Sequence, residues 1–230
     1  MADRRQFVTF TFYRAEPEWR RVPAAERDEH RREFADVITR WNSTGSMRVV
    51  PYSTVGTRAE AQMMLWRICY SLDELQHMSA ELLGTRLGGY LRIAHNFLGM
   101  TKRSRYMIRY EESRQVDIRA IKPGERKYLF LSPLVKNANW YTLDPDQRQT
   151  IINDWIKELI NFPQVKMNVI YSFGLDDQDF LLAYESDVPE DVLDAVQGMR
   201  ETDANRYTQR DTPMFTCVQT SVQEMLERLG

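Results

Sequence analysis

The chain repeats its own pattern at an offset of 121 residues, and this repeat limits the available folds more than any single motif does. Phe7–Tyr13 reads FVTFTFY, and Tyr128–Val135, reading YLFLSPLV, begins 121 positions later. Side chains along a strand point alternately to opposite faces, so the alternating threonines of the first segment predict a strand with one buried face. Trp19 and Trp140 are separated by the same offset. Each precedes a helix opened by proline, Pro23 to near Trp41 and Pro145 to near Ile160, because proline is preset for the first helical turn.

In the first of these helices Phe34, Val37, Ile38 and Trp41 recur every three or four residues and form one apolar stripe. Ile151, Ile152, Trp155, Ile156 and Leu159 do the same in the second. Strands are predicted over Met47–Tyr52 and Val165–Tyr171, each followed by a turn holding Gly56 or Gly174. Gln62–Ile68 and Asp179–Glu185 supply the next strands, and Leu72–Leu83 and Pro189–Met199 the next helices. Met63, Met64 and Trp66 then belong to a packed strand rather than to a cofactor box. Final strands near Tyr106–Tyr110 and Met214–Val218 complete two β-α-β-β-α-β units in tandem, an α+β chain of two ferredoxin-like halves. The halves span residues 1–110 and 127–230. The charged stretch 111–126 is the linker between them.

Composition narrows the function. With 31 basic and 33 acidic residues the formal charge is -2, so no global positive field exists to hold a nucleic acid. Arg20, Arg21, Arg27, Arg31 and Arg32 alternate with Glu26, Asp28, Glu29 and Glu33, the pattern of a solvated helix face. Cys69 and Cys217 lie far apart without partners at metal-ligand spacing, which predicts two reduced thiols. Gly84, Gly88 and Gly89 follow a helix and lack the lysine-serine signature of a phosphate loop. No signal segment and no apolar run of about 18 residues is present, so a cytoplasmic protein without a membrane partner is expected.

Three ordered segments carry a family resemblance: NWYTLDPDQRQ (Asn139–Gln149), FGLDDQDFLLAYES (Phe173–Ser186) and MRETDANRYTQRDTPMFTC (Met199–Cys217). They resemble the chlorite dismutase family, in particular its HemQ-type coproheme decarboxylases. The first half is similar more loosely, through PYSTVGTRAEAQMMLWRI at Pro51–Ile68. The resemblance implies paired ferredoxin-like halves of the dimeric α+β barrel type. It also implies self-association, commonly as a ring of five subunits, and haem or coproheme held in the C-terminal half.

Residue by residue, the resemblance also implies losses. The family's proximal histidine falls on Trp155, fifteen residues past Trp140. An indole nitrogen carries a hydrogen and offers no in-plane lone pair, so it cannot ligate iron. The decarboxylases' redox tyrosine falls on Ser132, which is no one-electron donor. The distal arginine or glutamine falls on Asn168, and an alternative distal histidine on Asp117. Lys136 and Thr212 fall where the family contacts a propionate. No metal site is expected, since His30, His77 and His95 all lie in the first half.

Three readings follow. One is a haem-independent member of the family, a pseudoenzyme that acts as an assembly partner of itself or of a paralogous subunit, as a scaffold, or as binder of a non-haem ligand. Another is an enzyme with new acid-base chemistry on Lys136, Asp154 or Asp117. The third is a haem or coproheme protein with a non-standard site. The absence of His at 155 and of Tyr at 132 disfavours both chlorite dismutation and decarboxylation by the family routes.

Overall fold

The computed structural model describes residues 4–104, 106 and 121–230. The chain divides into two compact units, residues 1–100 with 216–230, and residues 101–215.

In the first unit β1 (Phe7–Ala15), α1 (Ala24–Ser43), β2 (Met47–Ser53), β3 (Met63–Cys69), α2 (Leu72–Gly84) and β4 (Leu91–Met100) follow in order. The antiparallel sheet runs β4-β1-β3-β2, with Phe10 opposite both Trp66 and Phe97. This is the ferredoxin-like arrangement that the repeat predicts. The strand completing the unit is β4, earlier than expected. Of the segment proposed for it, residues 107–110 lie outside the described residues. The alternation in β1 suggested one buried face, yet Thr9 and Thr11 are buried together with Val8, Phe10 and Phe12. The threonine face is covered by α1 and α2, whose Phe34, Val37, Ile38, Leu75 and Met78 form one core with Tyr13 and Leu65. A hydrogen-bonded hydroxyl can occupy such a core: Thr11 donates to Asn96 Oδ1 at 2.6 Å and accepts from the buried Arg67 at 2.8 Å. Met63, Met64 and Trp66 are fully buried, as expected of packed strand residues.

The sequence chemistry explains the local boundaries. Ser71 caps α2 by accepting the Glu74 amide. Gly56, in the turn after β2, has φ of 82°, a conformation that glycine adopts without steric cost. A side chain at Gly88 would collide with the Leu82 carbonyl, so this loop glycine serves close packing. The charged face of α1 is solvated, and its Glu29 and Glu33 reach Arg86 at 3.2 and 3.0 Å.

The second unit contains β5 (Tyr128–Lys136), α3 (Ala138–Thr142), α4 (Pro145–Ile160), β6 (Lys166–Tyr171), β7 (Phe180–Ser186), α5 (Pro189–Glu201) and β8 (Thr208–Arg210). Its antiparallel sheet runs β6-β7-β5-β8, with Ser132 opposite Leu182 and Val169 also opposite Leu182. Helix α4 starts on Pro145 and is capped by Asp144, which accepts the Asp146 amide at 2.8 Å. Helices α4 and α5 cover the sheet face that carries Leu134, Leu182 and Tyr184. On the opposite face Glu185 is fully buried and accepts the Gly124 and Glu125 amides, which ties the described end of the expected linker to this sheet.

The strand expected to close the second half needs correction. The segment β9 (Phe215–Gln219) places Val218 and Gln219 beside Ser53 and Tyr52 of β2, and α6 (Val222–Glu227) buries Met225 and Leu226 in the first unit's core. The edge strand beside β5 within the second unit is β8 instead. Its three residues offered too short an alternation to be read from the sequence.

Candidate functional site

A cavity of about 390 Å³ lies within the second unit, a size typical of small-molecule sites. Strand periodicity builds one wall: Ser132, Leu134 and Lys136 from β5, Val169 and Tyr171 from β6, and Phe180, Leu182 and Tyr184 from β7. Helical periodicity builds the other, with Arg148, Ile152 and Trp155 from α4 and Val196, Met199 and Arg200 from α5. Trp140 and Tyr141 of α3, the turn residue Phe173, and Lys102, Arg103 and Tyr106 complete much of the lining. The body is aromatic and aliphatic, and the charged groups in it are mainly cations.

Lys136 is the most enclosed of those cations, at 9% relative exposure. Its amide donates to Asp179 Oδ2 at 2.7 Å, which fixes the end of β5. Its Nζ donates to the Ala204 carbonyl at 3.0 Å and to Thr208 Oγ1 at 3.2 Å, and sits 5.0 Å from the Trp140 ring centre. Among the described residues no carboxylate forms an ion pair with it. Burial disfavours the ammonium and brings its pKa down to about 8, against the weaker upward pull of Asp179 and Asp211.

Arg148 also faces the cavity, and among the described residues its buried Nε has no hydrogen-bond partner. Arg200 differs, because Asp211 neutralises it at 2.5 Å. Lys102 lies over the Tyr171 ring at 5.5 Å. The Tyr141 hydroxyl donates to Asp179 at 2.7 Å, and burial followed by that carboxylate holds its phenol protonated well above the usual range. The Tyr184 phenol is likewise raised by burial.

Of the residues singled out from the sequence, Ser132, Lys136 and Trp155 meet in this cavity. Ser132 donates to the Asp211 carbonyl at 2.7 Å. Asn168 does not line the cavity. It lies on the other face of β6, where its Nδ2 donates to Glu185 Oε1 at 2.8 Å, and the residue facing the cavity is its neighbour Val169. Thr212 is exposed outside the lining. Asp154 is exposed on α4 and pairs with Lys157 at 2.6 Å, away from the cavity, so it is not placed for acid-base chemistry there. Asp117 lies outside the described residues. Sequence reading missed Trp140, Tyr184, Arg200 and Arg148. Only Arg148 left a usable signal, four and seven residues before Ile152 and Trp155 on one helical face.

The fold and this cavity define a class of paired ferredoxin-like proteins with a ligand-sized pocket in the second unit. The chain belongs to the chlorite dismutase family, whose sequence profile matches residues 18–220. It is 27% identical over 180 residues to a coproheme decarboxylase of Mycolicibacterium smegmatis, covering 77% of this chain and 75% of that protein. It is 27% identical over 190 residues to a chlorite dismutase of Ideonella dechloratans, covering 78% of this chain and 64% of the relative. A crystal structure of a mutant chlorite dismutase from Candidatus Nitrospira defluvii superposes with a TM-score of 0.89 at 24% identity, covering 97% of this chain and 95% of that one.

The family implies haem or coproheme, and the cavity fits such a group only in part. Apolar walls and the cations Lys136 and Arg148 suit a planar organic ring with acidic arms. Iron ligation by imidazole does not fit. The residues that α4 turns to the cavity are Arg148, Ile152 and Trp155, and the described lining contains no histidine or cysteine. Among the described residues no cluster of three His, Cys, Asp or Glu side chains could hold a metal ion, and no helix is long and apolar enough to cross a membrane.

Proposed function

We propose that this chain is a haem-independent member of the family whose C-terminal half binds an amphipathic organic anion without forming a bond to iron. One observation carries the reading: the Trp155 indole lines the same ligand-sized cavity as Lys136 and Arg148, two cations that have no ion pair among the described residues. A scaffold needs no such cavity, and a buried cation such as Lys136 is costly without a counter-charge, which a ligand would supply. The family resemblance adds self-association into a ring, alone or with a paralogous subunit, and residence in the cytoplasm completes the proposal on separate grounds.

Titrations of the purified protein with ferric and with metal-free coproporphyrin test the iron-independent part, and the fluorescent anion 8-anilinonaphthalene-1-sulfonate tests the cavity. The dye should brighten on binding and be displaced by either porphyrin. The two porphyrins should bind within about threefold of each other, because a missing iron bond removes the free energy that separates them. Iron coproporphyrin binding more than about tenfold tighter, with a ligated Soret spectrum, would overturn the proposal in favour of a haem protein with a non-standard ligand. No dye binding would remove the cavity from consideration.

A further inference from the structure

We infer that Lys136 is a covalent capture residue, which takes a carbonyl group carried on an apolar, anionic body and holds it as an imine. The inference rests on the cavity being a ligand site, as proposed above, and names the class of compound it accepts. A neutral lysine amine has two N–H bonds and one lone pair. The two oxygens within reach of Nζ, the Ala204 carbonyl and Thr208 Oγ1, match those two N–H bonds. The lone pair is then left for the cavity that Lys136 lines.

The surroundings raise the fraction of free amine that stands in equilibrium with the ammonium. Of the two carboxylates that act on the lysine, Asp179 is engaged by the Lys136 amide and the Tyr141 hydroxyl, and Asp211 is engaged by Arg200. Neither forms an ion pair with Nζ. With its pKa lowered to about 8, Lys136 carries roughly 300-fold more free amine at neutral pH than an ordinary lysine. Lysines desolvated in this way act as carbonyl nucleophiles. The Trp140 ring, 5.0 Å from Nζ, would face the cationic iminium as it faces the ammonium.

The step balances without a further reactant. The Nζ lone pair attacks the carbonyl carbon, the C=O π pair moves to oxygen, and a proton passes from nitrogen to that oxygen to give a carbinolamine. Nitrogen then expels the hydroxyl, which leaves as water with one proton. The net change is amine plus carbonyl to imine plus water. Arg148, whose Nε has no hydrogen-bond partner among the described residues, supplies the charge for the anionic end of such a compound.

The test uses 4-carboxybenzaldehyde with cyanoborohydride on the full chain, followed by peptide mapping. Lys136 should be alkylated at least about tenfold faster than exposed Lys127 and Lys157, with a rate that rises through a midpoint near pH 8. Lys136→Met and Lys136→Arg should lose that adduct. The labelling ratio on the unmodified protein stands even if a variant folds poorly. Displacement of the fluorescent dye by the aldehyde, with labelling spread evenly over surface lysines, would overturn imine capture and leave the binding proposal intact. Absence of both displacement and adduct would overturn the two together.

Discussion

Asn168 Nδ2 donates to Glu185 Oε1 at 2.8 Å, on the sheet face opposite the cavity, with both side chains buried. Glu185 also gathers the Gly124 and Glu125 amides, so Asn168 completes the solvation of a buried carboxylate and does not act on a ligand. Asn168→Ala should cost about 1–3 kcal/mol in urea unfolding while dye affinity stays unchanged. A loss of affinity without a loss of stability would return Asn168 to the site.

Trp155 lines the cavity from α4, at the point where the family resemblance implies a histidine. Trp155→His should convert a binder indifferent to iron into one that holds ferric coproporphyrin at least about tenfold tighter than the metal-free ring, with a shifted Soret band. Equal affinities in the variant would mean that this point on the helix does not reach the ring centre.

Arg148 has no hydrogen-bond partner at Nε within the described residues, so removing it breaks no internal ion pair. Arg148→Met should leave the unfolding midpoint within about 0.5 kcal/mol and weaken anion binding by about tenfold. A destabilisation with unchanged affinity would assign the guanidinium to packing instead.

Lys136 makes stability depend on pH in a defined direction. Its pKa falls from 10.5 to about 8 on folding, so between those values the unfolded chain binds more protons and stability rises with pH. Below pH 8 the buried charge is a standing cost, which is relieved as pH climbs through the window. Lys136→Met should therefore be more stable than the parent at neutral pH. Urea midpoints should show that advantage shrinking by up to about 3 kcal/mol as pH approaches 10.5. A constant difference across the window would mean that Lys136 is not desolvated.

Local pattern determined the repeated β-α-β-β-α order, the capped starts of α2 and α4, and the burial of Met63, Met64 and Trp66, because period and capping depend only on nearby residues, whereas the strand closing each half was not legible in it. The family resemblance, carried by local motifs, brought Ser132, Lys136 and Trp155 to notice, and they share one cavity. Tertiary structure decided what depends on face and partner. A shift of one residue along a strand reverses its direction, which places Val169 in the cavity and Asn168 against Glu185. A step of one residue along α4 turns the chain by about 100°, which separates exposed Asp154 from Trp155. The assignment of residues 216–230 to the first unit and, among the described residues, the lack of an ion pair at Lys136 and of a hydrogen-bond partner at Arg148 Nε are properties of what lies nearby in space. No spacing in the sequence encodes them, because the neighbours that satisfy or fail to satisfy a buried charge arrive from distant parts of the chain.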